Sequence, residues 1–148
     1  MQTITTTLDK SKSYFSLHGA VAQLTQCYAP EVLVCGGSGT GKTRGILFWL
    51  TILAQSYNGI KIILARKTLA DLAKSTLVTL EEQVLGAGHP AIGDLQRVGR
   101  TKPYRFVNGS EMLPMGYENR DSFKSVQCDL LYVNEATEIS EEDFEYSA

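Results

Sequence analysis

The sequence predicts an α/β fold in which helices flank a parallel β-sheet. Short apolar runs rich in β-branched residues alternate along the chain with longer segments that repeat apolar residues at helical spacing. This alternation is typical of parallel sheets whose strands are joined by helices. In addition, a glycine-rich loop joins the first predicted strand directly to the helix that follows it. These two observations together predict the fold class.

The strands are predicted from composition and turn signals. Three segments are short, apolar and partly β-branched, as buried parallel strands are. They are Glu31–Cys35, Lys61–Ala65 and Leu130–Val133. A hairpin is predicted where Tyr104–Val107 and Glu111–Met115 flank Asn108-Gly109, a pair that favours a tight turn. Pro114 predicts that the second arm of this hairpin is an edge strand.

The helices are predicted from apolar periodicity and end signals. Four segments carry these signals, and glycine or proline follows the first three of them. They are Leu17–Tyr28, Lys42–Tyr57, Leu69–Val84 and a final helix that starts at Ser140 with a capping-box-like spacing. Residues 1–14 show no periodicity, so we predict a flexible N-terminal arm there and one domain over residues 15–148.

Composition limits the classes of protein to consider. The chain has 148 residues, of which 43% are hydrophobic and 20% charged, as in one ordinary globular domain. A net charge of −2 lacks the strong basicity of dedicated nucleic-acid binders, although a local DNA-binding patch stays open. No apolar run reaches the roughly 18 residues of a membrane-spanning helix. The three cysteines form no CxxC pair, so we expect an intracellular protein with neither disulfides nor a zinc site.

The glycine-rich loop matches the phosphate-binding pattern GxxxxGK[ST] in full. Its residues are Gly36, Gly37, Ser38, Gly39, Thr40, Gly41, Lys42 and Thr43. Glycines let the backbone wind around a phosphate with N–H groups pointing inward, and the helix N-terminus adds further donors. Lys42 can reach the β- and γ-phosphates, and the Thr43 hydroxyl can bind magnesium. We therefore predict a nucleotide site that also includes Arg44; the alternative is a plain glycine-rich turn before a helix.

A second candidate site lies at the end of the last predicted strand. Hydrolysis of a nucleotide needs a carboxylate that positions water and usually a second acidic group near the metal. Glu135 is the candidate for the first role. Asn134 stands where an aspartate usually holds magnesium, and its carboxamide brings no negative charge, so we expect weaker magnesium retention. The alternative is that Glu135 and Glu138 are solvated loop carboxylates.

Arg66-Lys67 follows the second predicted strand, at the edge where α/β domains bind ligands. These two basic residues could contact DNA or phosphate, or they could form a solvated strand end. The sequence leaves both interpretations open.

With these motifs located, the chain resembles the ATPase domain of phage terminase large subunits, the motors that package DNA into procapsids. The resemblance covers nearly the whole chain from about residue 15. The segments that carry it are Glu31–Thr43, Arg66–Thr68, Phe106–Ser110 and Leu131–Ser140. Many terminases place an arginine inside the P-loop, whereas this chain has Ser38-Gly-Thr40 there and its nearest arginine at Arg44.

The resemblance implies a RecA-like P-loop NTPase (ASCE) core that hydrolyses ATP with Mg²⁺ and moves double-stranded DNA. Glu135 and Lys42 would be its catalytic residues, and Thr43 and Asn134 its metal site. The implied partners are a portal protein, a small terminase subunit and further copies in a ring, in the host cytoplasm and without a membrane. A later strand and a nuclease domain would be missing, so we expect an incomplete domain with little hydrolysis alone. A helicase-like translocase and a nucleotide-binding module without turnover are the alternatives.

Overall fold

The computed structural model describes residues 6–8, 13–93, 102–119 and 121–145. The strands in these residues are β1 (Thr6–Leu8), β2 (Ser13–Phe15), β3 (Lys61–Arg66), β4 (Tyr104–Arg105), β5 (Glu111–Gly116) and β6 (Leu130–Val133). The α-helices are α1 (Gly19–Leu24), α2 (Lys42–Ser56), α3 (Leu69–Lys74), α4 (Thr76–Thr79), α5 (Asp121–Lys124) and α6 (Glu141–Glu145). A π-helical segment spans Leu80–Leu85, and 3₁₀ turns span Tyr117–Asn119 and Ala136–Glu138.

The main sheet has four strands in the order β4-β5-β3-β6. β3 is parallel to both β5 and β6, and β4 is antiparallel to β5. The predicted α/β class with a parallel sheet and a hairpin is confirmed. β1 and β2 form a separate antiparallel pair. This pair overlaps the arm predicted over residues 1–14, and the flexibility of that arm stays a prediction.

β3 is the centre of the core because apolar clusters cover both of its faces. Ile62 and Leu64 point into a cluster formed with α2, α3, α4 and the π-helical segment. Ile63 and Ala65 point into a second cluster, which contains Met115, Tyr117 and Phe123. Alternate residues of a strand point to opposite faces, so a strand covered on both sides needs an unbroken apolar run. The run at Lys61–Ala65 was predicted to be buried for this reason.

The Asn108-Gly109 turn forms the predicted hairpin and also caps α2. Gly109 has a φ of 82°, a left-handed conformation that glycine adopts without steric cost. The Asn108 Nδ2 donates to the carbonyls of Ala54 and Tyr57 at 2.8 and 3.0 Å. The last carbonyls of a helix have no partner within the helix, so this side chain supplies one. The hairpin is thereby fixed against the far end of the helix that follows the glycine-rich loop.

The predicted strand at Glu31–Cys35 is not a strand in the structure. This segment carries no regular secondary structure, and Leu33 is 78% exposed. β6 pairs with β3 alone, and no strand in the described residues lies beside Glu31–Cys35 to accept its backbone hydrogen bonds. An apolar β-branched run becomes a strand only where a partner strand is present, so composition alone gave the wrong element here.

Pro114 lies in an interior strand, so the prediction of an edge strand is wrong. β5 runs between β4 and β3. The Glu111 N–H donates to Ile60 on the β3 side, and since donors alternate along a strand, a donor at position 114 would point toward β4. The β4–β5 pairing reaches only to Met112. Proline is tolerated because the hydrogen bond it cannot make is not required there.

The predicted helix Leu69–Val84 is divided into α3, α4 and the π-helical segment. The break between α3 and α4 lies at Ser75, whose backbone has φ −123° and ψ −72°. The Ser75 Oγ donates to the carbonyl of Asp71 at 2.8 Å, a local bond that competes with regular helix. The predicted helix Leu17–Tyr28 is shortened to Gly19–Leu24, whereas the predicted helix at Lys42–Tyr57 is confirmed as Lys42–Ser56.

Candidate functional site

The glycine-rich loop leads directly into the N-terminus of α2. Gly39 and Gly41 have φ values of 74° and 77°, which a residue with a Cβ atom rarely adopts. Gly41 precedes the first helical residue, Lys42, and its carbonyl accepts the first helical bond from Gly45 at 2.9 Å. The loop therefore turns sharply into the helix and presents exposed backbone at the positive end of the helix dipole.

The Lys42 side chain folds back over the loop. Its Nζ donates to the carbonyl oxygens of Gly36 and Gly37, both at 2.6 Å. A Cβ atom at position 36 would lie 3.4 Å from the Lys42 Cδ, an ordinary van der Waals contact, so the lysine stem packs directly against this part of the loop. The ammonium group is thus held at the loop by two exposed carbonyl groups, and the charged oxygens of an anionic ligand can replace these acceptors.

Thr43 contacts the end of β6. Its hydroxyl donates to the Asn134 Oδ1 at 3.4 Å, and the hydroxyl of Tyr132 donates to the same oxygen at 2.9 Å. The Asn134 Nδ2 donates to the hydroxyl of Thr76 at 2.8 Å. The carboxamide is buried, at 8% exposure, and these three hydroxyls hold both of its polar atoms. The side-chain oxygens of Thr43 and Asn134 therefore converge at the start of α2.

Tyr132 is a stable hydrogen-bond donor in this group. Burial raises the pKa of Tyr132 to about 12; the neighbouring Thr43 hydroxyl opposes this shift, and the charge of Glu135 adds to it. The phenol is therefore protonated throughout the neutral range. It therefore keeps the proton that it donates to Asn134 at neutral pH.

Glu135 adopts a strained backbone conformation. Its φ of 54° and ψ of 53° lie in the left-handed region, and it is the one non-glycine residue with positive φ among the described residues. Such a conformation costs about 1–3 kcal/mol and persists only where the surroundings hold it. The residue before it is fixed to β3, because the N–H of Asn134 donates to the carbonyl of Ala65 at 2.8 Å. The Glu135 side chain itself is exposed.

A two-pronged ion pair joins the end of β3 to the turn after Glu135. The Arg66 Nε and Nη2 donate to the two carboxylate oxygens of Glu138 at 3.1 and 2.9 Å. The Arg66 Nη1 donates to the Ser75 Oγ at 2.8 Å. The hydrogen bond to Arg66 lowers the pKa of Glu138, and the same bond raises the pKa of Arg66. Arg66 is thus a structural partner of the turn rather than a solvated strand end.

The oxygens that could bind a metal are neutral ones. The described residues contain no group of three or more histidine, cysteine, aspartate or glutamate side chains suited to a metal ion. Thr43 and Asn134 offer one hydroxyl and one carboxamide oxygen. Magnesium is commonly held by few protein ligands together with water and substrate phosphates, and this pair fits such a mode.

The structure brings some of the predicted site residues together. The Lys42 side chain lies over the loop, Thr43 contacts Asn134, and Glu135 follows Asn134 directly in the chain. Arg44 is exposed in the first turn of α2, directly after Thr43. Sequence reasoning missed Tyr132 and Thr76 as partners of Asn134. The spacing of Tyr132, two residues before Asn134 and on the same face at the end of β6, was an available signal, whereas nothing in the sequence indicated Thr76.

The mixed sheet flanked by helices and the glycine-rich loop before α2 define an α/β core of the P-loop NTPase class. A family model described as phage terminase large subunit matches residues 30–147. The chain therefore belongs to the phage terminase large subunit family, which has a DNA-packaging role. No curated protein matches the sequence closely enough to count as a relative. Within the described residues, no helix combines the length and apolarity needed to cross a bilayer.

Proposed function

We propose that this protein binds ATP and Mg²⁺ at the loop Gly36–Thr43 and hydrolyses ATP to drive the packaging of double-stranded DNA. The observation that carries the proposal is the contact between the Thr43 hydroxyl and the Asn134 carboxamide. This contact links the start of α2 to the end of β6, directly beside the strained Glu135. The family membership supports the DNA-packaging part of the proposal.

The loop supplies the binding of the phosphates. The ammonium of Lys42 exchanges the carbonyls of Gly36 and Gly37 for phosphate oxygens, which are stronger acceptors because they are charged. The backbone N–H groups at the start of α2 add donors along the helix dipole. These groups also stabilise the negative charge of the phosphoryl group as it is transferred.

Thr43 and Asn134 would hold the magnesium ion, Thr43 through its hydroxyl and Asn134 through a bound water. Magnesium supplies charge neutralisation of the phosphates when it is bound. Tyr132 and Thr76 fix both ends of the Asn134 carboxamide, so Asn134 would orient the bound water. Because a carboxamide is neutral, it would add no charge to the metal site. We therefore expect magnesium to bind more weakly than in a site with an aspartate at this position.

Glu135 would orient and deprotonate the attacking water. The water oxygen forms a bond to the γ-phosphorus, the bond from that phosphorus to the β,γ-bridging oxygen breaks, and the water proton passes to the Glu135 carboxylate. The position of Glu135 at the carboxyl end of β6 favours this role, because α/β domains bind ligands at that edge of the sheet.

The partners of this activity follow from the family and are part of the proposal. Double-stranded DNA is the moved substrate, and a portal protein and a small terminase subunit would be the assembly partners. Further copies of the protein would form a ring in the host cytoplasm. A ring would also allow a neighbouring subunit to supply an arginine to the phosphates, as the loop residues Ser38-Gly-Thr40 include none.

The test is ATP hydrolysis by the full-length protein, with and without double-stranded DNA, together with ATP binding. We expect DNA-stimulated turnover that Lys42→Ala removes together with ATP binding. Glu135→Gln should lower turnover by about 10²–10⁴-fold and keep ATP binding. Arg105→Gln, at an exposed ion pair on the hairpin, is the matched control and should change neither.

Three outcomes would contradict the proposal or part of it. ATP binding without turnover in the unmutated protein would mean that the site is a nucleotide-binding module, an alternative that the uncharged Asn134 leaves open. Turnover that survives Glu135→Gln would remove that carboxylate from the mechanism. DNA unwinding by the full-length protein would instead favour the helicase-like alternative.

A further inference from the structure

The turn that carries Glu135 is fastened at both ends to β3. At its start, the Asn134 N–H donates to the carbonyl of Ala65 at 2.8 Å. At its end, the Glu138 carboxylate pairs with Arg66, the next residue of the same strand. Between them, the Glu138 N–H donates to the Glu135 carbonyl at 2.9 Å and closes the turn. Two neighbouring residues of one rigid strand therefore define where the turn starts and ends.

We propose that the Arg66–Glu138 pair is a positioning clamp that holds the Glu135 turn in its left-handed conformation and so fixes the direction of the Glu135 carboxylate. This inference rests on the catalytic role proposed for Glu135. Arg66 acts through Glu138 and the turn, so both are positioning residues and neither is a catalytic one.

The geometry of the pair suits a clamp. Both carboxylate oxygens of Glu138 accept from Arg66, at 2.9 and 3.1 Å, and a two-bond pair fixes direction as well as distance. The third guanidinium nitrogen, Nη1, donates to Ser75, whose own hydroxyl donates to Asp71. The arginine is therefore fixed by Ser75 at the α3–α4 break as well as by Glu138 in the turn. Its side chain is only 17% exposed, which limits the alternatives open to it.

The strain at Glu135 is the reason that a clamp is needed. A glutamate relaxes readily from the left-handed region toward the extended or right-handed region. Relaxation would turn the backbone at Glu135 and move its carboxylate relative to Thr43 and Asn134. A misplacement of about 1 Å in a reacting group can lower a rate by about 10²-fold. The clamp therefore affects the rate of hydrolysis and leaves the phosphate-binding loop unchanged.

The experiment measures kcat and KM for ATP in the full-length protein, and hydrogen exchange of the Glu138 amide, whose bond closes the turn. Arg66→Gln should lower kcat about tenfold or more, leave KM within about twofold, and speed exchange at the Glu138 amide. Arg66→Lys should restore only part of the rate, because an ammonium cannot make the two-bond pair. Arg105→Gln breaks a similar pair on the hairpin and should change none of these values.

A double variant tests whether Arg66 acts through Glu135. In the Glu135→Gln background, Arg66→Gln should add no further loss of rate, since residues of one unit are not additive. Independent, additive losses would overturn the clamp. If Arg66→Gln does not fold, Glu138→Gln tests the same pair from its more exposed side.

The failure of the clamp and the failure of the proposed function are distinguishable. A normal kcat in both Arg66→Gln and Glu138→Gln, with Glu135→Gln inactive, overturns the clamp alone. If the unmutated protein shows no turnover, the proposed function fails and the exchange measurement decides the structural part. Unchanged exchange at the Glu138 amide then overturns the clamp, and faster exchange supports it.

Discussion

The Thr43 hydroxyl and the Asn134 carboxamide oxygen lie 3.4 Å apart, although the two residues are 91 positions apart in the sequence. Thr43 is in the first turn of α2, and Asn134 follows the last residue of β6. Tyr132 and Thr76 hold the carboxamide from its other sides. Every side-chain partner of Asn134 in this group is thus a hydroxyl, which can accept or donate a hydrogen bond.

This property predicts that Asn134→Asp is tolerated and strengthens metal binding. All three hydroxyls can turn to donate to a carboxylate, and the new charge attracts Mg²⁺. We expect the magnesium concentration for half-maximal nucleotide binding to fall about tenfold, which corresponds to about 1.4 kcal/mol. Titration of MgCl₂ at fixed nucleotide measures this. The control Asn134→Ala should weaken binding, and an unchanged magnesium requirement in the aspartate variant would contradict the assignment.

The left-handed conformation of Glu135 predicts that replacing this residue by glycine raises stability and removes activity. Glycine adopts the left-handed conformation without a Cβ penalty, so Glu135→Gly should raise the free energy of unfolding by about 1 kcal/mol. Glu135→Gln keeps the Cβ atom and should leave stability unchanged, whereas both variants lose turnover. Urea unfolding of the three proteins measures the difference. Equal stability of the glycine and glutamine variants would show that Glu135 is not strained.

The close packing around Gly116 predicts that no larger residue fits at the end of β5 without a loss of stability. A Cβ atom there would overlap the Glu118 carboxylate and the backbone nitrogen of Leu69, which hydrogen bond to each other at 2.8 Å. Gly116→Ala should therefore lower the free energy of unfolding by about 1–3 kcal/mol. Gly37→Ala is the matched control, because a Cβ atom there meets only the Thr40 Cγ2 at 3.8 Å. The prediction fails if thermal unfolding gives the two variants the same stability.

The lowered pKa of Glu138 predicts that the free energy of unfolding depends on pH in the acidic range. Its pKa is lowered from 4.5 by the hydrogen bond to Arg66, so the folded protein binds the proton less readily than the unfolded chain does. The stabilisation is present above pH 4.5 and is lost as the pH falls through the lowered value. The stability difference between the unmutated protein and Glu138→Gln should therefore shrink over that acidic range. A difference that does not vary with pH would contradict the ion pair.

The raised pKa of Tyr132 predicts that the free energy of unfolding also depends on pH in the alkaline range. Its pKa is about 12 in the folded protein and 10.0 in an exposed tyrosine, so the folded state retains a proton that the unfolded chain releases. Stability should therefore fall as the pH rises from about 10 toward 12. Tyr132→Phe has no phenol to titrate, so its stability should fall less between about pH 10 and 12. Unfolding curves of both proteins across this range measure the difference. The same alkaline fall in both proteins would mean that the phenol is not buried in the Asn134 group.

Elements whose burial depends on nearby residues were predictable from sequence. α2 shows its apolar face through Leu47, Leu50 and Ala54, and β3 shows its two-sided burial through an unbroken apolar run. The Asn108-Gly109 hairpin follows from the conformations that those two residues favour. In each case the local preference and the tertiary environment agree, and the predicted and observed elements differ only by a few residues.

Elements that depend on a distant partner were not predictable. Glu31–Cys35 has strand composition but lies beside no strand in the described residues. Pro114 is tolerated in an interior strand because β4 pairs with only the first part of β5. The break at Ser75 arises where Ser75 bonds to Asp71 and receives a bond from Arg66. Pairing and side-chain contacts of this kind overrule composition.

The sequence by itself determined the α/β class, the glycine-rich loop with Lys42 and Thr43, and the candidate Glu135, because motif spacing and periodicity are properties of the chain. Only the tertiary structure decided that Thr43 meets Asn134, that Glu135 is strained, and that Arg66 holds Glu138. Hydrogen bonds and ion pairs between residues far apart in the chain require the sheet order, which places the carboxyl ends of β3 and β6 side by side.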